Sequence, residues 1–311
     1  MKNILYVNYG VTKACGVYDL GLRHYNAIKD IEDYNITYVE INNLQQYLFS
    51  LYGYAPDLVI INYLSGLSPW LQGHYSTCPT VCIPHDHRFN DLESHFRRDD
   101  LFDYYIILDQ YSKETIKVFK TNRPLKEFEN TDYYQNKVPK IGSFGFALTH
   151  KNFNLITREV NKSFDEAEIN FHMPKAYYDF ENQTGQVIKE CLDEITKPGI
   201  KLNITTDFLS EDEVINQLHH NDINCLFYAP DKDLGVSSSL DFLISAQKPI
   251  LITESPFFRS FAPDLPKFPA HSLLDIWNTW EYKQTLVCNI YYNAINKIKD
   301  ETKALLHRMI R

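Results

Sequence analysis

The chain has no run of about 18 consecutive apolar residues, the length a membrane-spanning helix requires, so no segment reads as transmembrane. Its opening, MKNILYVNYG, is too short and too strand-like for a secretory leader. It reads as a first β-strand, and a cytoplasmic setting is the expectation, with contact at the inner face of a membrane left open. Cysteine is thinly spread: of six, only Cys78 and Cys82 lie close together, and no second pair completes a zinc-type spacing. Buried free thiols are expected. Positive charge is in deficit, with 31 Lys and Arg against 40 Asp and Glu and a net charge of −9. That balance weighs against a nucleic acid partner, because proteins that bind one carry a basic face.

What the chain does have is alternation. Short apolar, β-branched runs at Asn3–Asn8, Ile36–Ile41, Leu58–Tyr63, Thr80–Ile83 and Tyr104–Leu108 are separated by helical patterns at Val17–Lys29, Asn43–Leu51 and Ser112–Phe119. After the polar stretch Thr121–Lys137 the pattern restarts, with strands expected at Lys140–Phe146, Glu168–Phe171, Lys201–Thr205, Ile223–Tyr228 and Pro249–Thr253. Ser210 followed by Glu213 predicts a capped helix running to about His220. Strand–helix alternation argues for parallel, doubly wound sheets. The expected fold is therefore α/β, with two Rossmann-like domains facing across a cleft. The expected limits are 1–135 for the first domain, 138–278 for the second, and 279–311 for a helical tail packing back on the first.

In such sheets ligands sit beyond the carboxyl ends of the strands, so the strand-to-helix loops deserve the closest reading. The first is Tyr9-Gly10-Val11-Thr12-Lys13-Ala14-Cys15-Gly16. It lacks both G-x-G-x-x-G and G-x-x-x-x-G-K-[ST], so dinucleotide and P-loop readings fail on spacing. Gly16 would let the main chain approach a ligand, although a glycine-bearing turn is in most proteins only a turn. The second loop is Pro84-His85-Asp86-His87-Arg88. His and Asp together suggest a metal, but neighbours on an extended chain point to opposite faces and no third cluster completes a site, so no metal is expected. His85 is placed to hydrogen-bond a sugar hydroxyl or a phosphate. The third loop runs from Gly142-Ser143-Phe144-Gly145-Phe146 to Lys151-Asn152, where Lys151 could reach a diphosphate as a point charge.

The fourth stretch is DKDLGVSSSLDFLISAQKPILIT, from Asp231 to Thr253. Gly235 frees a turn, and the backbone N–H groups of Val236, Ser237 and Ser238 would face an anion at a helix start. Asp241, one turn in, could accept a pair of hydrogen bonds from a vicinal diol such as a ribose. Helix capping accounts equally well for Asp233 and Asp241 taken singly.

Together these loops resemble the GT-B glycosyltransferases, and within them the retaining glycosyltransferase family 4, over roughly residues 1–260. The resemblance rests on Cys15-Gly16-Val17-Tyr18, His85-Asp86, Gly145-Phe146 with Lys151-Asn152, Asp222–Tyr228, and above all Asp233 and Asp241 at E-x7-E spacing before Gln247-Lys248-Pro249-Ile250-Leu251. Both glutamates of that family motif are aspartates here, and the family's phosphate-binding arginine falls on Phe146. The resemblance implies a nucleotide sugar as donor substrate, with no cofactor and no metal. It implies diphosphate at the helix start, close to Gly145 and Lys151, with Arg88 or Lys248 as auxiliary cations. Ribose would lie on Asp241, the sugar near Asp233, and His85 would orient the sugar. A glycan, lipid-linked or polysaccharide acceptor and retention without a protein nucleophile complete the expectation. A sugar-nucleotide epimerase and a non-catalytic scaffold on the same fold are the competing readings.

Overall fold

A computed structural model of the protein describes residues 1–10, 16–64, 70–71, 75–85, 101–108, 114–129, 133–176, 179, 181–230, 236–261 and 265–310. Contacts divide the chain into two compact units, Met1–Pro124 with Asp233–Ser238 and Asn293–Arg311, and Leu125–Lys232 with Ser239–Tyr292.

The first unit is built on six parallel strands: β1 (Lys2–Tyr9), β2 (Tyr34–Ile41), β3 (Leu58–Tyr63), β4 (Thr80–Pro84), β5 (Tyr104–Ile107) and β6 (Val118–Lys120), in the order β2-β1-β3-β4-β5-β6. Strands covered on both faces read as continuous apolar runs, as LVIINY in β3 does. Alternate side chains serve separate cores. Ile4 and Tyr6 join Leu20 and Ile28 of helix α1 (Gly16–Ile28), while Leu5 and Val7 join Tyr47 and Leu51 of helix α2 (Leu44–Tyr54). Asn43 caps α2 by accepting from Gln46 N. Of the stretch Ser112–Phe119, expected to be helical, the described part is not helical: it leads into β6, with Ile116 exposed and Val118 and Phe119 buried. Its apolar residues suit a short edge strand as well as a helix, and pairing with β5 decides the outcome.

The second unit carries β7 (Lys140–Phe144), β8 (Glu166–His172), β9 (Gly199–Thr205), β10 (Ile223–Leu226), β11 (Ile250–Thr253) and β12 (Lys267–Phe268), ordered β12-β11-β10-β7-β8-β9 and again parallel. Its helices are α3 (Phe153–Ser163), α4 (Gln183–Asp193), α5 (Glu211–His219), α6 (Ser238–Ser245, whose first residue counts with the first unit) and α7 (Leu273–Asn278). The final helix, α8 (Trp280–Met309), contributes residues to both units. In the first of them Glu301 accepts hydrogen bonds from Thr121 and Asn122, and Leu305, Leu306 and Met309 enter the α1 core. No helix of the described residues is long and apolar enough to cross a membrane.

Only one face of the β7–β8–β9 half of this sheet is apolar. Ile141, Ile169 and Phe171 meet Phe153, Ile156 and Val187 from α3 and α4. On the opposite face the register sets polar rows: Lys140, Glu168 and Lys201, then Gly142, Asn170 and Asn203, then Phe144, His172 and Thr205. Asn203 donates to Asn170 (2.9 Å), Asn170 to Asn221 (2.9 Å), Asn221 to Asn224 (3.0 Å), and Asn224 to the Leu218 carbonyl (2.9 Å). Gly142 lets this tape of amides cross β7, because a Cβ there would collide with both Asn221 and Asn224. Asp222, fully buried, accepts from Asn136 N (2.8 Å), Asn136 Nδ2 (3.0 Å) and Lys140 N (2.8 Å), fixing where β7 begins.

Candidate active site

Each sheet order contains one reversal, between β1 and β3 in the first unit and between β7 and β10 in the second. At such a point the loops leave in opposite directions, and the crevice between them is where open α/β sheets hold ligands.

In the second unit the chain leaves β7 through Gly145, whose φ of +133° lies where side-chain-bearing residues are strained. Gly145 N donates to the His172 carbonyl at 3.0 Å. A tight turn at Thr149–Lys151 then folds Lys151 back over that glycine. A Cβ on Gly145 would collide with Lys151 Nζ and stand 2.9 Å from Ser239 Oγ, so glycine is what admits the ammonium. The turn is pinned to the end of β10 by Ala229 N donating to the His150 carbonyl (2.8 Å) and Asn152 Nδ2 donating to the Phe227 carbonyl (2.8 Å). Lys151 is 9% exposed, with Nζ 5.3 Å from the centre of the Tyr228 ring and 5.9 Å from that of Phe146. Tyr228 in turn donates its hydroxyl to Ser239 Oγ (3.1 Å) in the first turn of α6. Asp241, in that same turn, is fully buried. Among the described residues no carboxylate forms an ion pair with Lys151. The aromatic faces of Tyr228 and Phe146 soften the burial of its charge.

In the first unit Asn8, Asn62 and His85 meet at the carboxyl ends of β1, β3 and β4. His85 Nε2 lies 2.5 Å from Asn62 Oδ1, while Asn62 Nδ2 donates to Asn8 Oδ1 and to the Val17 carbonyl, both at 2.8 Å. With its amide nitrogen so engaged, Asn62 presents an acceptor, so His85 carries its proton on Nε2. Gly16 opens α1 in this unit, and a Cβ on it would come within 2.6 Å of Ser238 Oγ, also of this unit.

The structure thus brings Gly145 and Lys151 together beside the first turn of α6, which holds Asp241, and sets Gly16 beside Ser238. Val236 and Ser237 precede Ser238, the first residue of α6. Asp233, Gly235, Asp86 and Arg88 lie outside the described residues. Lys248 is not an auxiliary cation for this loop. It sits just before β11, at the amino end of the strand, with Nζ 5.3 Å from the Trp280 ring centre and 5.4 Å from that of Tyr134. Three contributors escape a reading of loops alone: Asn62, Tyr228 and Ser239. Asn62 left a trace, as an amide inside the apolar run LVIINY.

The two-sheet α/β arrangement is that of the GT-B glycosyltransferases. The chain is similar in structure to HepE of Anabaena, solved with UDP and glucose, at a TM-score of 0.69 and 12% identity, over 99% of this chain and 100% of that one. A glycosyltransferase from Rickettsia africae aligns at a TM-score of 0.63 and 10% identity, over 96% and 94% of the two chains. The pneumococcal O-GlcNAc transferase GtfA, solved with UDP and GlcNAc, aligns at 0.58 and 11% identity, over 86% of this chain and 60% of that one. No family model and no curated protein sequence matches the chain.

Proposed function

We propose that the protein is a glycosyltransferase that moves a sugar from a nucleoside diphosphate donor to a glycan, lipid-linked or polysaccharide acceptor, with retention at the anomeric carbon. The observation that carries this reading is Lys151, a buried cation with no paired carboxylate among the described residues, poised over a glycine turn at the switch point of the second sheet. HepE, of the same fold and nearly the same extent, is a protein that holds UDP together with glucose.

The chemistry follows from charge. As the bond from anomeric carbon to phosphate oxygen breaks, the leaving diphosphate gains negative charge. Lys151 and the N–H groups of Val236, Ser237 and Ser238 stabilise that state from fixed positions, which costs no reorganisation during reaction. Gly145, Gly235 and Gly16 let main chain approach the donor. Asp241 receives the ribose hydroxyls and Asp233 the transferred sugar. The anomeric carbon becomes oxocarbenium-like, as in glycoside hydrolysis. His85, whose Nε2 meets Asn62 Oδ1, orients the transferred sugar. On this reading the reaction requires no metal and no cofactor.

One observation favours a second reading, a binding protein that no longer transfers sugar: an aromatic ring, Phe146, stands where the family has its phosphate-binding arginine. The two part on product. Calorimetric titration with UDP, GDP and ADP, beside Lys151→Ala and Asp241→Ala, tests the donor site. Binding weakened by about tenfold or more in both variants supports it. Absence of binding by every nucleotide overturns it. Release of nucleoside diphosphate from a nucleotide sugar then separates transferase from binder.

A further inference from the structure

We infer that the polar face of the second sheet carries a separate binding site for a neutral sugar, distinct from the proposed donor site and independent of it. Parallel sheets are ordinarily covered on both faces. Here a pocket of about 340 Å³ stays open over β7, β8 and β9, walled on one side by the last turn of α5. That volume lies near the lower end of the roughly 300–1,000 Å³ typical of small-ligand pockets. Its lining includes Asn170, Asn203, Asn216, Gln217, His172 and Thr205.

The donor set points to hydroxyls. An amide both donates and accepts, as a sugar hydroxyl does, so a wall of amides complements a polyol without needing charge. The charged groups in the lining are Lys140 and Glu168, and they face one another at 3.9 Å. A phosphate or a cation would find no uncompensated counter-charge in them. His172 supplies a second, independent sign. It is 3% exposed, its Nδ1 is 2.7 Å from Thr205 Oγ1, and its Nε2 is buried with no hydrogen-bond partner among the described residues. Burial lowers the His172 pKa, which keeps the ring neutral and suits it to a hydroxyl rather than an anion. A buried polar atom left unpaired costs on the order of 1–3 kcal/mol, so an unmet demand for a hydrogen-bond partner stands at the edge of the pocket.

Location separates this pocket from the diphosphate loop. The pocket runs from Lys140 and Asn221 at the amino ends of the strands to His172 and Thr205 at their carboxyl ends, so most of its amide wall extends away from Gly145 and Lys151, which lie past those carboxyl ends. A site so placed would hold a sugar unit away from the reacting bond.

The test is a ¹H–¹⁵N NMR titration of the whole protein with glucose, galactose, mannose and N-acetylglucosamine, following the side-chain amides of Asn170 and Asn203. A saturable shift of those amides is expected with at least one sugar. Asn203→Ala and Gln217→Ala, each checked for an unchanged thermal midpoint, should weaken it by about five- to tenfold, the loss of one or two hydrogen bonds. UDP affinity should not change in either variant. Failure of any sugar to shift the pocket amides, shifts that the variants leave untouched, or shifts confined to the Gly145–Lys151 loop would overturn the inference. UDP titration of Lys151→Ala reports on the donor site alone, so the two readings fail separately.

Discussion

At the scale of single residues, Gly145 and His24 are the most exposed to test. Alanine at Gly145 must adopt a positive φ and push Lys151 aside. Backbone strain of this kind costs about 1–3 kcal/mol. Gly145→Ala should therefore lower the thermal midpoint and, on the proposed function, weaken nucleotide binding by about tenfold, both read from one calorimetric series. His24 makes a prediction about pH. It is fully buried, its Nδ1 pairs with the Tyr6 hydroxyl (3.1 Å), and burial lowers its pKa from the ordinary 6.5 to about 4. The unfolded chain then takes up this proton first as pH falls. The stability linked to His24 is complete above about pH 6.5 and drains away down to about pH 4, by on the order of 3 kcal/mol. Urea denaturation across that window should show the loss, and His24→Gln should flatten it. A slope that persists unchanged in the variant would assign the effect to other groups.

At the scale of elements, two local devices carry measurable weight. Ser210 and Glu213 form a complete capping box on α5, and Ser210→Ala should cost about 1 kcal/mol in denaturant unfolding. Asp222 is a larger matter. Its three accepted hydrogen bonds hold residues 136–140 where β7 starts, and Asp222→Ala removes them inside the core, costing on the order of 3 kcal/mol. A midpoint in urea within error of the unaltered protein would refute that account. These elements also show what the sequence made legible. Both halves of α5's capping box were readable because cap and partner lie three residues apart. Strands such as LVIINY were readable because continuous apolar runs of that length have few other homes. The stretch before β6 was not, since three residues at a sheet edge show no period, and β12 is shorter still. The loop holding Gly145 and Lys151 stood out by its place after a strand. Tyr228 and Ser239 did not, because topology alone brings the end of β10 and the start of α6 to that loop.

At the scale of the whole molecule, a ligand that binds only the folded state raises its stability by mass action. On the proposed function, UDP at a hundred times its dissociation constant should stabilise the protein by about 2.7 kcal/mol, and the thermal midpoint should climb with nucleotide concentration. A midpoint indifferent to UDP, GDP and ADP alike would count against a donor site. The two α/β halves were legible from strand–helix alternation that starts twice, and their GT-B character from the resemblance of the loop motifs. The order in which strands sit was not, because period and propensity are blind to which neighbour a parallel strand chooses.

That order has a consequence for how the protein is made. β7 is flanked by β8 on one side and β10 on the other, and Ser143 donates to the carbonyl of Cys225, 82 residues further on. During synthesis at about 5–20 residues per second, β7 emerges and then waits roughly four to sixteen seconds for the strand that closes its second edge. Until then the second edge of β7, and the amide of Asn170 once β8 is made, lack the partners the finished fold gives them. A nascent chain arrested before β10 should therefore be the form most prone to clump and most dependent on chaperones, and release of the next few dozen residues should end that vulnerability.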